Sequence, residues 1–274
     1  MAENKRTTGP FTLRDDRDLD KALEDYTHIY HGGARCSTDT IGHATPDDMS
    51  LQDLVLHAPQ GFIPLWAEGV TLRWRFQERS VQQFVDPDAA KDYVRDLLAD
   101  AALAWGAAVP VRFAESHQPW DFEIKLSARD DCDPRGCTLA SAFFPDAGQH
   151  ELELFPLMFR NDRDEQIETM AHELGHVFGL RHFFAQTREA IVPSVEFGTQ
   201  DPNSIMNYGP QSELTDTDIS DLIALYSRVW SGDLTHVNGT PIHLVEPYSA
   251  TNARALPPAL VARSQSYAAR TKSA

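Results

Sequence analysis

The chain is predicted to fold as an α/β sandwich on a mixed, mostly parallel twisted sheet of about five strands. Three patterns carry this: a period-2 segment followed by a capped helical segment, a run of further short strand-like segments, and two long helical patterns after them. "TLRWRF" at 71–76 alternates Leu72, Trp74 and Phe76 with Thr71, Arg73 and Arg75, as a half-buried strand does. From Asp86, Tyr93, Val94, Leu97, Leu98, Ala101, Ala104 and Trp105 recur at helical spacing, with Asp86 as N-cap, Pro87 at the first helical position and Gly106 as C-cap. Strands follow at 109–113, 122–126, 138–144 and 151–155. A further helix over 162–179, a long loop and a C-terminal helix complete the order, the last capped by Thr215 with Asp218 three residues on.

Domain limits follow from composition. Residues 1–64 are rich in Asp, Thr and Gly with broken periodicity and read as an N-terminal extension, with order expected from near Leu65. Residues 65–230 hold the patterned elements, and 231–274, with "PP" and an Ala/Ser-rich end, read as a loosely attached tail. With 42% hydrophobic residues in 274, the chain can bury a sizeable core. A formal charge of -17 disfavours nucleic acid and anionic membranes as partners. No signal peptide is visible at the N-terminus and no apolar run is long enough to span a membrane. Of three cysteines, Cys132 and Cys137 are spaced to close a small loop, leaving Cys36 over.

The segment "HELGHVFGLRH" at 172–182 bears the chemistry. In the helix that contains it, Ile167, Met170, Ala171, Leu174, Val177 and Phe178 form one apolar stripe, which must face the core. His172 and His176, one turn apart, fall on the opposite, outward side, expected to be the floor of a cleft. Two imidazoles one turn apart can converge on one zinc ion. Gly179 can take a positive φ, end the helix and let His182 return as third ligand. Three histidines leave a fourth position for water, and Glu173 can act on that water as general base. These five fixed residues should arise by chance in roughly one chain of this length in 10⁵.

H-E-x-x-H-x-x-G-x-x-H followed by "NSIMNYG" resembles the metzincin clan of zinc endopeptidases, with its zincin-like fold and methionine turn. The resemblance implies one catalytic zinc on His172, His176 and His182, and Met206 packed beneath the imidazoles. "PLWAEGVTLRWRF" and "SIMNY" are similar to astacins, which implies that Tyr208 binds zinc or its transition state; Phe183 stands where astacins carry Glu. "TLASAFFPDAGQHELELF" resembles matrix metalloproteinases instead, without their H-x-D segment for a second zinc. Arg35–Cys36 resembles the matrix metalloproteinase pro-segment latch, with Ser37 in place of glycine, so residues 1–64 are a candidate pro-segment and Cys36 either a latch or a free thiol.

The resemblance implies a monomer that cleaves protein or peptide substrates, and 138–144 reads either as an edge strand along which substrate pairs or as plain sheet structure. It also implies an extracellular site of action. A non-enzymatic zinc protein that binds peptides is the competing function, and an intact Glu173 argues against it. Asp130, Asp131 and Asp133 are weak calcium candidates without an EF-hand pattern, more simply a solvated loop. His150 is placed near the cleft by its position after the edge strand.

Overall fold

A computed structural model describes residues 9–14, 54–58, 61–133, 136–182, 194–198, 201, 203–206 and 212–255. In chain order the first elements are β1 (Leu54–His57), β2 (Ile63–Trp66), β3 (Thr71–Phe76), α1 (Glu78–Val81) and α2 (Pro87–Trp105). Then come β4 (Arg112–Glu115), β5 (Phe122–Leu126), β6 (Asp131–Asp133), β7 (Gly136–Thr138), β8 (Ala140–Ser141) and β9 (His150–Leu154). The remainder are α3 (Arg163–Val177), β10 (Leu180–Arg181), β11 (Ser194–Phe197), α4 (Asp216–Trp230), β12 (His236–Val237), β13 (Thr240–Val245) and α5 (Tyr248–Ala255).

The main sheet runs β4-β3-β5-β9-β8 and is parallel except for the β8–β9 pair, as the pattern predicted. Leu72, Trp74 and Phe76 point into the core, as their alternation requires. Helix α2 starts where its caps said: Asp86 accepts a bond from Ala89 N at 3.0 Å and Pro87 opens the first turn. Its apolar face meets α3, and Trp105 donates from Nε1 to the Ala171 carbonyl at 2.9 Å. The capping box of α4 forms between Thr215 and Asp218.

Four readings change. The strand expected at 109–113 lies at 112–115, because a tight turn at Gly106–Ala108 extends past α2. The stretch 138–144 is shared by two sheets: Thr138 belongs to the β6–β7 hairpin, opposite Asp131, and only Ala140–Ser141 borders the main sheet. Order does not begin near Leu65. Phe11 stacks on Phe159 at 3.8 Å and meets Phe84 and Tyr93 edge-on, while β1 and β2 are strands in two smaller sheets. Nor are residues 231–255 loosely attached, since β13 pairs in parallel with β2 and Ser249 bonds buried Asp121 through its N–H at 2.6 Å and its hydroxyl at 2.9 Å. The Asp/Thr/Gly-rich N-terminal and Ala/Ser/Pro-rich C-terminal stretches hid the strand-forming runs "LVLH" and "TPIHLV" within or beside them.

Candidate metal centre

Helix α3 begins at Asp162, whose side chain accepts from Glu165 N at 3.0 Å, and carries Asp164 and Glu165 in its first turn. Its predicted stripe is buried at Met170, Ala171, Leu174, Val177 and Phe178. The histidines are buried too, which corrects their placement on an outward face: His172 is 8% exposed, His176 3% and His182 1%. Periodicity sees one helix at a time and not the segments folded over it. Here Ile205 lies against His172, and Phe144 meets the His176 ring edge-on at 5.4 Å.

Gly179 sits at φ +96, just past the helix, and a Cβ there would lie 3.0 Å from Leu65 Cδ2. The positive φ requires glycine, and the Leu65 methyl adds a tight contact to any other residue. The chain then reverses through β10 and presents His182 back to the helix. Trp66 Nε1 donates to the Val177 carbonyl at 2.7 Å and the Tyr226 hydroxyl to the Phe178 carbonyl at 3.0 Å, fixing the carbonyls that α3 leaves open.

His172 Nδ1 lies 2.7 Å from the Ile205 carbonyl, and His176 Nδ1 lies 2.8 Å from the Leu180 carbonyl. A carbonyl oxygen only accepts, so both Nδ1 atoms carry protons and both Nε2 atoms present lone pairs. Each of these Nε2 atoms is 3.1 Å from His182 Nε2. One proton on His182 Nε2 can satisfy one neighbour and not both; a cation at the centre satisfies all three. Nitrogens bound tetrahedrally to zinc stand about 3.3 Å apart, close to the 3.1 Å from His182 Nε2 to each of the other two, and all three ligand atoms lie within 4.8 Å of one another. The residues therefore fit a zinc ion. Burial, then repulsion from His182 and His172, hold the His176 imidazole well below its usual range, in the neutral form that ligates.

Glu173 is buried next to His172 on the same helix. Met206 is fully buried against α3, where a Cβ on Gly175 would be driven into its Sδ. Any side chain at 175 would displace that methionine. Four supports were not read as such from the sequence: Gly175, the Leu180 and Ile205 carbonyls, and the second role of Asp218. Besides capping α4, Asp218 accepts from Ser204 Oγ at 2.5 Å and Ile205 N at 3.2 Å, tying the turn that carries Met206 to α4. The T-x-x-D box was the visible signal, but it announces only a helix start.

Tyr208, Phe183 and Cys36 lie outside the described residues. Cys132 and Cys137, directly opposite in the β6–β7 hairpin, are joined by a disulfide. Asp130 is engaged by Leu157 N at 2.6 Å and by Arg160 at 3.2 Å. His150 opens β9, stacks on Phe143 at 4.6 Å and stands 3.7 Å from Asp146; burial lowers its pKa.

A family model described as Matrixin matches residues 65–227. No curated protein matches the chain. A solved structure titled "Structure of myroilysin" is similar at 14% identity with a TM-score of 0.43, over 64% of this chain and 98% of that one.

Proposed function

The chain belongs to the matrixin family, and from that premise we propose that it is a zinc-dependent endopeptidase in which Glu173 is the general base. The observation that carries this reading is the convergence of three buried histidines with two Nδ1 protons held by backbone carbonyls, so that lone pairs face one point. Zinc held there by His172, His176 and His182 supplies Lewis-acid polarisation of water and of the scissile carbonyl. Glu173 takes a proton from the attacking water and returns it to the leaving amine nitrogen. The Ile205 and Leu180 carbonyls keep the His172 and His176 rings in one tautomer throughout.

Casein or gelatin hydrolysis tests the reading. Turnover is expected to vanish on chelation and to return with one equivalent of Zn²⁺. A chain that holds one zinc yet cleaves neither substrate is instead the non-enzymatic peptide binder. Tyr208, by its position after Met206, is proposed to donate its phenolic hydrogen to the developing oxyanion. Tyr208→Phe should lower kcat by about 10²–10³-fold at unchanged zinc content; an unchanged kcat removes Tyr208 from the mechanism. Among the described residues no helix is long and apolar enough to cross a membrane.

A further inference from the structure

Strand β1 lies in the stretch that composition assigns to an extension, yet it is the middle strand of an antiparallel sheet ordered β10-β1-β11. Its partner β10 is the two-residue link between Gly179 and His182. Val55 stands opposite Arg181, and Leu56 opposite Leu180. Leu180 in turn offers its carbonyl to His176 Nδ1 at 2.8 Å. An antiparallel strand turns successive residues' peptide groups to opposite sides. With Leu180 turned to His176, the backbone bonds joining β10 to β1 fall at Arg181, opposite Val55. Leu56 and Leu180 are both fully buried and seal the same pair from the core side.

On this geometry we propose that β1 positions the metal centre, holding the Leu180 carbonyl against His176 and aiming the chain that delivers His182. It follows that maturation of this protein, if it trims the N-terminus, cuts before Leu54 and leaves β1 in place. The proposal rests on the three histidines binding zinc; it does not depend on turnover. A two-residue strand has too few ladder bonds to hold its own place. Among the described residues, β1 is the one strand paired with it.

The test is Val55→Pro in the full-length chain, which removes the peptide N–H at the β10 contact. Val55→Ile, which keeps that N–H, is the companion. Zn²⁺ affinity is read by competition with a chromophoric chelator, and ligand geometry by the visible absorption of the Co²⁺-loaded protein. Val55→Pro is expected to weaken Zn²⁺ binding about 10–100-fold, as loss of outer support around metal ligands does, and to alter the Co²⁺ bands; Val55→Ile should match the parent. Affinity of Val55→Pro within twofold of the parent, with unaltered bands, overturns the proposal. Should Val55→Pro not fold, native trimming of the zinc-loaded parent with chymotrypsin, whose sites Leu51, Leu54 and Phe62 bracket β1, decides. A stable product beginning at or before Leu54 is expected; one beginning at or after Ile63 that keeps one tightly bound zinc overturns it. A parent that binds zinc without cleaving casein sinks the endopeptidase reading and leaves this one standing.

Discussion

Glu173→Gln is expected to lower kcat for casein hydrolysis about 10²–10⁴-fold while zinc content stays at one per chain. Gln keeps the size and shape of Glu, so burial of residue 173 at 6% exposure is undisturbed. It cannot take a proton. The ligand set fitted above needs only three Nε2 atoms, and residue 173, one helical position from His172, projects about 100° away from it. Metal affinity and catalysis should therefore separate. Steady-state kinetics with atomic absorption for zinc makes the check. A loss of less than tenfold would assign the proton transfer to another group, and a loss of zinc would make Glu173 a ligand.

The histidine triad was legible because its parts are local: a one-turn spacing, then a glycine that must reverse the chain, here at φ +96. Helices α2 and α4 were legible for the same reason, their caps being short-range chemistry. What periodicity could not give was anything set by a distant segment. The outward face assigned to His172 and His176 is buried because the Ile205–Met206 turn and Phe144 cover it. Gly175 looked like an unconstrained position of the motif and is held to glycine by Met206, thirty-one positions away in sequence. Strands β1 and β13 were lost in Asp/Thr- and Ala/Ser-rich surroundings, and their pairing with β10 and β2 has no sequence-local signature.

Asp218→Ala is expected to cost about 3–7 kcal/mol of folding stability, from two buried donors left without an acceptor at about 1–3 kcal/mol each and the lost Asp218 half of the α4 capping box at about 1 kcal/mol. Asp218 is 1% exposed. Its Oδ1 accepts from Ser204 Oγ at 2.5 Å, and its Oδ2 from Ile205 N at 3.2 Å and Thr215 N at 3.0 Å. Ser204 and Ile205 are buried, so no water replaces the carboxylate without rearrangement. Against a typical total of about 5–15 kcal/mol the loss is large. It also reaches the metal: the same Ile205 whose N–H is held by Asp218 gives its carbonyl to His172 Nδ1 at 2.7 Å. Zinc affinity should fall together with stability in Asp218→Ala, and both should fall less in Asp218→Asn, which keeps one carbonyl acceptor for Ile205 and Thr215. Urea unfolding with chelator competition on the same samples measures the two. Full stability in Asp218→Ala would mean that the Ser204–Met206 turn is held by its own packing; intact zinc affinity beside lost stability would mean that Ile205 does not carry the support to His172.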